Sequence, residues 1–443
     1  MGRNGHRMRQ KWLIATAALV AASVPCVAAT PVRADAPTTC IGSGTEADID
    51  AVLVGPGAHA LLCQGAVFRL QAPVVLDAPG QTISTVGDPV GAGRARLEIA
   101  DPDLSVALQF TNQSDVEVGY LEVDGRRRTL GFEPTPSDGG TGDALVQGGG
   151  ASTGQVVEHV RIRDARSWSA FHVTEGPGPS GCSHASVHDD VIIGPAAARY
   201  EWSDGISFAC SASEVVDNTV TDASDGGIVV FGAPGTLVAR NTVLAQHQEA
   251  LGGINLVDRQ PYDGDYTGTV VRDNTVRSDG APMHIGIAQG WGAWFCADEP
   301  HEYVTSELHG ASVLDNHLGG AQLIYGMVVS GVRDWTVTGN DVEPNRIAQA
   351  ATTGCESKVA DPTALLIQSA RAKGTFQPGF ANGHTHGALF AVTTWAHPVP
   401  TTDDAAPPTT TTTLARQTTT AAATSSQQAS PAVPVPGLAA FTG

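Results

Sequence analysis

The sequence is poor in lysine, in aromatic residues and in long apolar runs. Lysine occurs only at Lys11, Lys358 and Lys373, and 25 basic residues face 45 acidic ones, a formal net charge of −20. A surface this acidic repels nucleic acid and anionic membranes. Beyond the first residues, no segment is apolar enough to cross a bilayer. The sequence therefore predicts a protein that binds neither nucleic acid nor a membrane.

The single long apolar stretch, WLIATAALVAASV at residues 12–24, follows four basic residues and precedes small ones. It is too short to span a membrane and has the layout of a secretory signal peptide. We expect cleavage after Ala29 or Ala36 and assign residues 1–36 to the signal. Its removal leaves 20 basic against 44 acidic residues, a formal charge of −24. The protein is predicted to be secreted and extracellular.

The other end of the chain has a different composition. Residues 398–443 are mostly Thr, Ser, Ala and Pro with almost no large apolar side chain. Such a segment cannot bury enough surface to fold, so we expect a disordered tail. Residues 37–397 contain no linker, yet they exceed what one ordinary globular core holds. A continuous repeating architecture resolves this contradiction.

A short motif recurs along the chain, as in VVDNTV at 215–220, VARNTV at 238–243 and VVRDNTV at 270–276. Its asparagines are separated by 23, 33, 42 and 24 residues, and Asp190 takes the same slot 28 residues earlier. They are Asn218, Asn241, Asn274, Asn316 and Asn340. The minimum step is about one circuit of three short strands and three turns, with insertions elsewhere. We expect the asparagines to stack in the turns as a structural ladder.

Each circuit also carries a second short apolar run, such as DGGIVVFG at 225–232, bounded by Gly, Asn or Asp. Such alternating runs are typical of strands. One strand cannot bury its apolar face alone, whereas stacked coils bury a continuous core. The sequence predicts an all-β fold, a single-stranded right-handed parallel β-helix. The segment TEADIDAVL at 45–53 is expected to form an N-terminal capping helix.

Seven cysteines are present without any C-x-x-C pair, which argues against a cysteine-based metal site. Cys26 lies in the signal, and an even number of the others in an oxidising compartment indicates disulfides. Cys182 and Cys210 differ by 28 residues, the step from Asp190 to Asn218, so we expect them on adjacent coils within bonding reach. Proximity and elimination alone suggest the other two pairs, Cys40 with Cys63 and Cys296 with Cys355.

The alternation of V-x-x-N-x-V with GG-I-x-V-x-G, together with CQGAVFRLQAPVVLDAPGQTISTVG at 63–87, resembles the pectin-lyase-like superfamily of right-handed β-helix proteins. The resemblance covers roughly residues 40 to 345. Two stretches, TDASDGGIVVFGAPG and LGGINLVDRQPYDGDYTGT, are similar to secreted actinobacterial and fungal members. The resemblance implies the fold. It leaves the activity open, because these folds serve lyases, hydrolases, epimerases and adhesins.

The coils can be aligned on six apolar anchors, namely Phe171, Ile206, Ile228, Ile254, Ile287 and Met327. On this alignment, outward ionisable residues concentrate on the coils from Phe171 to Ile254. Asp204 and Asp225 take nearly equivalent places on neighbouring coils, so we expect their carboxyls about 5 to 9 Å apart, the range of glycosidase pairs. Proximity would raise the pKa of one of them enough for it to donate a proton. The alternative is that Asp before Gly merely makes the coil corner.

Other outward residues complete the predicted site. Asp258 is expected to orient water or hold the sugar, and Glu175 and His172 are alternative acid–base residues. The predicted substrate-binding residues are Trp168, Asn255, Arg166, Trp291 and Trp294. Among them Arg166 belongs to an arginine-rich region, VDGRRR at 123–128 and RIRDAR at 161–166, that either holds a uronate carboxylate or pairs with the surplus acids.

The sequence favours a glycoside hydrolase that acts on an extracellular polysaccharide. The acidic surface favours a polysaccharide without charge. The acidic surface, the clustered carboxylates and the absence of lysine from the central coils favour hydrolysis over β-elimination. The alternatives are a non-catalytic adhesin or glycan-binding scaffold, and a polysaccharide lyase using Arg or His. No metal site is predicted, since His384 and His386 have no third ligand nearby. No cofactor is predicted, although the spacing of Asp263 and Asp265 leaves calcium as an option beside a plain turn. The oligomeric state is not predicted.

Overall fold

The structure is a computed structural model that describes residues 39–133, 144–195, 201–294, 307–343 and 359–390. Nearly all of its regular structure is parallel β-sheet. Sheet A has 12 strands, sheet B has ten and sheet C has 11, and a further pair is formed by Ser152–Thr153 and Cys182–Ser183. Within the described ranges, no helix has the length and hydropathy needed to cross a membrane.

The strands of each sheet follow one another in chain order with few exceptions. Sheet A comprises His59–Leu62, Thr82–Thr85, Glu117–Gly119, Val156–Glu158, Ser186–His188, Glu214–Val216, Leu237–Ala239, Val270–Arg272, Leu308–His309, Ser312–Leu314, Val332–Thr338 and Ala372–Phe376. Sheet B comprises Val67–Leu70, Ala95–Ile99, Leu121–Asp124, Arg161–Arg163, Val191–Ile193, Thr219–Thr221, Thr242–Ala245, Thr275–Ser278, His317–Gly319 and Asp341–Val342. Sheet C comprises Val74–Val75, Leu108–Gln109, Val146–Gly149, Ser169–Thr174, Asp204–Phe208, Gly226–Phe231, Ala250–Val257, Met283–Gln289, Leu323–Val329, Leu365–Ile367 and Ala381–Asn382.

The helical elements are short and lie outside this repeat. They are the α-helices Glu46–Asp50 and Arg127–Leu130 and the 3-10 turns Trp291–Ala293, Ser369–Arg371 and Ala388–Phe390. Thr45 and Asp48 form a capping box at the first helix, which satisfies backbone N–H groups that the helix leaves open. Ile49 of this helix is fully buried in the core. The predicted N-terminal capping helix is therefore confirmed.

Register shows that the coils are stacked as the sequence predicts. Ile206 pairs with Ile228, Ile228 with Ile254, and Ile254 with Ile287. Each full circuit contributes one strand to each sheet, so residues about two dozen positions apart become neighbours. All four isoleucines are fully buried in one continuous apolar core. The predicted parallel β-helix is confirmed.

The asparagine ladder is also confirmed. The side chain of Asn218 donates from Nδ2 to Oδ1 of Asn241, 3.0 Å away, and Asn241 donates in the same way to Asn274. Each amide also donates to a carbonyl of the preceding coil, for example from Asn241 to Val215. Asp190 occupies the expected slot, since its backbone N–H donates to Oδ1 of Asn218. These bonds satisfy polar groups that burial would otherwise leave open.

Two of the expected disulfides are present. Cys40 is bonded to Cys63 and Cys182 to Cys210, with Cα separations of 4.9 and 4.7 Å, so both link adjacent coils. The third expected pair, Cys296 with Cys355, lies outside the described residues. The same holds for the predicted signal peptide and for the Thr-rich tail.

The arginine-rich region forms a lattice of ion pairs on the outer face of sheet B. Glu122 accepts hydrogen bonds from Arg161 and Arg163, at 2.9 and 3.0 Å. Arg163 also pairs with Asp124, and Arg126 with Glu98. The second of the two sequence alternatives is thus observed, because these guanidinium groups face acids of this chain.

The outer face of sheet C is covered, which the sequence alignment did not indicate. Outward residues along this sheet, Val229, Ala288 and Val328, belong to a second apolar cluster that includes Ala388 and Leu389. The C-terminal segment forms this cover after adding a further strand, Leu365–Ile367, to the sheet. Apolar outward side chains stabilise such a layer because it removes them from water.

Candidate active site on the outer face of sheet C

The predicted carboxyl pair lies where the strands of sheet C begin. Asp204 is the first residue of its strand, and Asp225 immediately precedes the next strand in the stack. Both side chains are buried, 3% and 2% exposed. The charge of Asp204 raises the pKa of Asp225, so the two carboxyls are close enough to interact. The coil spacing brings together residues 21 positions apart, as the sequence predicted.

Asp204 is held by two hydrogen bonds. Its Oδ2 accepts from the Ser207 hydroxyl at 2.8 Å, and its Oδ1 accepts from the backbone N–H of Gly226 at 2.9 Å. Burial raises the pKa of Asp204 to about 7, against the opposing effect of these two donors. The hydrogen bonds favour the ionised form. Asp204 is therefore the carboxyl of the pair that is equipped to carry negative charge.

Asp225 has the opposite environment. Its Oδ1 is buried without a hydrogen-bond partner. Burial first, and then the charge of Asp204, raises the pKa of Asp225 well above its ordinary value. Two adjacent buried carboxyls cannot both ionise, so Asp204 loses its proton first as the pH rises through about 7 and Asp225 keeps its own. The pair combines a carboxylic acid with a carboxylate.

Asn255 reaches the pair across two glycines. Both polar atoms of this fully buried side chain, Oδ1 and Nδ2, have no hydrogen-bond partner. A Cβ on Gly226 would lie 2.7 Å from Asn255 Nδ2 and 3.2 Å from Asp204 Oδ1. A Cβ on Gly252 would lie 2.6 Å from the same Nδ2. Only glycine at both positions leaves room for this arrangement.

His172 and Trp168 lie on the other side of Asp204. His172 pairs in register with Ser207, and its ring lies 4.9 Å from that of Trp168, edge to face. His172 Nδ1 and Trp168 Nε1 are buried without partners. Burial lowers the pKa of His172 to about 4, so the imidazole is neutral at pH 7. A neutral imidazole offers one donor and one acceptor.

The remaining predicted acids lie at the opposite edge of sheet C. Asp258 is four residues beyond Ile254, whereas Asp204 is two before Ile206, and these isoleucines share one register column. Six residues at about 3.3 Å each place Asp258 about 20 Å from Asp204 in the direction of the strands. Glu175 is at the same edge as Asp258 and accepts a hydrogen bond from Arg259 at 2.7 Å. The expectation that Asp258 and Glu175 join the pair is thus not met.

Asp258 has its own hydrogen bond at that edge. Its Oδ1 accepts from the backbone N–H of Gly264 at 2.6 Å, while its Oδ2 has no partner. Burial raises the pKa of Asp258 to about 6. The residue stabilises the loop that follows its strand.

Three predicted substrate contacts are part of the protein's own packing. Arg166 is buried and donates to backbone carbonyls, including that of Leu104. Trp291 stacks on His386, and Trp294 belongs to the second apolar cluster. The geometry corrects the prediction for these residues, because the surfaces that would meet a sugar already meet protein.

Sequence reasoning overlooked Ser207 and the two glycines as parts of the site. Ser207 lies next to His172 in the stack and donates to Asp204. The glycines carried a detectable signal, since Gly226 and Gly252 occupy one register column that Ile285 continues on the following coil. Glycine at strand positions otherwise filled by larger residues marks a close approach by another group.

Four residues around the carboxyl pair carry buried polar atoms without partners: Trp168, His172, Asp225 and Asn255. Other such atoms, for example Oδ2 of Asp258, lie elsewhere in the described residues. Native proteins leave few such atoms, and a cluster indicates that a ligand or ordered water supplies the missing bonds. Across the described part of the chain, no group of three or more His, Cys, Asp or Glu is arranged to hold a metal ion.

No protein-family model matches the sequence, and no curated protein is significantly similar to it. Among solved structures, similarity is found to the DFA-IIIase of Arthrobacter chlorophenolicus A6 in complex with GF2, with 14% identity, 78% of this chain and 92% of that chain covered, and a TM-score of 0.43. An exopolygalacturonase from Thermotoga maritima has 14% identity, 67% and 83% coverage and a TM-score of 0.43. The A-module of a mannuronan C-5 epimerase from Azotobacter vinelandii has 13% identity, 77% and 97% coverage and a TM-score of 0.37. At this level of sequence identity, the reaction and the substrate have to be inferred from this chain's own residues. These residues form a parallel β-helix with a buried pair of carboxyl groups on sheet C.

Proposed function

We propose that the protein is a carbohydrate-active enzyme, a glycoside hydrolase whose acid and base are Asp225 and Asp204. One observation carries the proposal. Two interacting carboxyls in very different environments are surrounded by buried polar atoms without partners. Carboxyl groups whose environments separate their pKa values are the usual acid–base pair of glycoside cleavage.

The roles follow from the two environments. Asp225 holds the proton and donates it to the glycosidic oxygen as the bond to the anomeric carbon breaks. Asp204, kept anionic by Ser207 and the Gly226 N–H, stabilises the positive charge that develops on that carbon. Water adds its hydroxyl to the anomeric carbon and returns one proton to the carboxyl pair. The pair thereby regains its single proton.

His172, Asn255 and Trp168 supply the contacts to the sugar in this proposal. An amide and a neutral imidazole donate to and accept from hydroxyl groups, and an indole face packs on the apolar face of a sugar ring. His172 cannot act as the main acid here, because its lowered pKa leaves it without a proton at neutral pH. A lyase mechanism with His172 as base is disfavoured by the neighbouring acid pair, which repels the carboxylate of a uronate.

The first experiment is a screen of the secreted protein against plant, fungal and bacterial glycans for new reducing ends. On any glycan that is cleaved, Asp204→Asn and Asp225→Asn are each expected to lower kcat/KM by about 10²- to 10⁴-fold. Asp341→Asn, at a side chain that is 77% exposed, is the matched control. Full activity in both site variants would disprove the assignment.

Binding without cleavage is the second candidate function, favoured by the complete burial of Asn255 and its two unpartnered atoms. It predicts a glycan that binds with equal affinity to the wild type and to Asp225→Asn, with no reducing ends released by either. Calorimetric titration of both proteins with each glycan separates the two candidates.

We also propose that the protein is extracellular, because disulfides that link adjacent coils fit an oxidising compartment. In this proposal residues 1–36 are the signal peptide, residues 37–397 the β-helix domain and residues 398–443 a Thr-rich tail. The intact mass of the secreted protein tests the first boundary: a product that retains residues 1–36 contradicts it.

A further inference from the structure

The outward row of sheet C changes from polar to apolar at the acid pair. In register order the row reads His172, Ser207, Val229, Asn255, Ala288 and Val328. On the side of the earlier coils the row is polar. On the side of the later coils, beyond Asn255, it runs beneath the second apolar cluster, so a chain lying along the stack meets a wall there.

Residues of the C-terminal segment build that wall. The 3-10 turn Ala388–Phe390 packs on the strands Ala250–Val257 and Met283–Gln289. His284 fixes it, with Nδ1 2.6 Å from the carbonyl oxygen of Leu389 and Nε2 2.8 Å from Glu249. The ring of Phe390 lies 5.8 Å from that of Trp202, two residues before Asp204. The wall therefore stands directly beside the acid pair.

The carboxyl edge of the sheet is closed as well. Glu175, three residues beyond His172, accepts from Arg259, and Thr174 donates to the other oxygen of Glu175 at 3.1 Å. This ion pair bridges strands whose coils are three steps apart along the stack. A sugar chain crossing the sheet from the acid pair past His172 would have to break it.

Burial agrees with a site that is closed on these sides. None of Asp204, Asp225 and Asn255 is more than 3% exposed, and the same holds for His172. A groove that admits the middle of a polymer needs two open ends, and its catalytic groups remain accessible along the whole path. Here the side of the later coils and the carboxyl edge are both closed, so the middle of a polymer has no path across the acid pair.

We infer that the acid pair lines a closed chamber, that this chamber receives the end unit of an uncharged glycan chain or a whole short oligosaccharide, and that cleavage proceeds from a chain end. The inference rests on the proposed hydrolysis and specifies its mode. The unit is uncharged because the partnerless groups are an amide, an imidazole and an indole beside a carboxyl pair, which bind hydroxyl groups and repel anions.

The test uses the glycan that the screen identifies, as a long polymer and as an oligosaccharide series. Size-exclusion chromatography at low conversion is expected to show one small product while the polymer peak hardly moves. Early fragments of intermediate size, with a rapid fall in polymer mass, would overturn the inference. Loss of all cleavage in Asp204→Asn and Asp225→Asn alongside such fragments would leave the hydrolase assignment intact and only the end-directed mode refuted.

A binding measurement is independent of turnover. Asp225→Asn is titrated with three ligands: the unmodified oligosaccharide, the oligosaccharide with a bulky group on its reducing end, and the oligosaccharide with a bulky group on its non-reducing end. We expect at least a tenfold loss of affinity on blocking one end and little change on blocking the other. Equal affinity for all three ligands contradicts a closed chamber, whether or not the wild type cleaves them.

A substitution in the wall gives a third test of the inference. Phe390→Ala removes the ring that faces Trp202 and is expected to add mid-chain products. Phe376→Ala, which removes a ring packed on Phe380 at sheet A, is the control for loss of an aromatic side chain. An unchanged product pattern in Phe390→Ala, with the fold retained by circular dichroism, counts against the wall.

Discussion

Replacing Asp204 by asparagine is expected to stabilise the protein at neutral pH while it lowers kcat/KM by about 10²- to 10⁴-fold. Burial raises the pKa of Asp204 from 3.8 to about 7. Below pH 3.8 the carboxyl is protonated in both the folded and the unfolded state. As the pH rises the unfolded chain loses this proton first, so the stability contributed at low pH is lost by the time the pH passes about 7. A shift of about 3 units corresponds to about 4 kcal/mol.

The amide introduced by Asp204→Asn has no proton to lose in this range, so the variant escapes this loss. The difference in unfolding free energy between Asp204→Asn and the wild type is expected to grow by about 4 kcal/mol from pH 4 to pH 8. Removal of the Asp204 charge also lowers the pKa of Asp225, which increases the gain. Any hydrogen bond weakened by the amide shifts all points equally and does not affect the slope.

The assay is urea unfolding, followed by circular dichroism, at five pH values between 4 and 8. Asp341→Asn removes the same charge from an exposed site and is expected to stay within about 0.5 kcal/mol of the wild type throughout. Parallel curves for Asp204→Asn and the wild type would mean that Asp204 ionises normally in the folded protein. The acid–base assignment would then lose its physical basis.

Three further substitutions test separate parts of the structure. Gly226→Ala places a methyl group against Val229 Cγ2 and 2.7 Å from Asn255 Nδ2, so Asn255 has to move, and we expect kcat/KM to fall at least tenfold with the fold retained by circular dichroism. Gly91→Ala, where a Cβ meets nothing within 4 Å, is the silent control. Asp190→Asn is expected to raise the free energy of unfolding at pH 7 and not at pH 3, because burial raises the pKa of Asp190 well above its ordinary value. The new amide can donate a hydrogen bond as the asparagines of the ladder do. An equal effect at both pH values would contradict this prediction. Asn241→Ala removes hydrogen bonds from a fully buried site and is expected to cost at least about 3 kcal/mol in urea unfolding, so a loss below about 1 kcal/mol would contradict the ladder's role.

The fold could be predicted because the repeat leaves a spacing in the chain. A step of 23 residues from Asn218 to Asn241 allows few architectures other than stacked coils, and the register of Ile206 with Ile228 follows from the same step. The disulfide between Cys182 and Cys210 could be predicted for the same reason. Periodicity constrains which residues are neighbours across coils.

The site could be predicted only in part. Asp204 and Asp225 come together because one coil step relates them, which is information that the sequence carries. Asp258 was misplaced because the alignment placed it on the right coil without weighing its position along the strand. The distance from Asp204 is set by six residues of extended chain, not by the number of coils.

Burial of the site was beyond sequence reasoning. The wall at Leu389 and Phe390 comes from a segment outside the repeat, more than 130 residues after Asn255, and no periodicity relates the two. The buried state of Trp294 has the same origin. A non-repeating segment that packs on a repeating one is determined by tertiary contacts alone.

The proposed mechanism depends most on one proton, which Asp225 holds beside an anionic Asp204. Infrared difference spectroscopy of the wild type against Asp225→Asn at about pD 8.5, above the pKa of about 7 of Asp204, observes it directly through the carbonyl stretch of a protonated carboxyl group. We expect the band of one protonated carboxyl group to be present in the wild type and in Asp341→Asn and to be lost from Asp225→Asn, while the band of another buried acid such as Asp190 cancels in the difference. A wild-type spectrum identical to that of Asp225→Asn in this region would show that Asp225 is ionised, and the proposed acid would not exist.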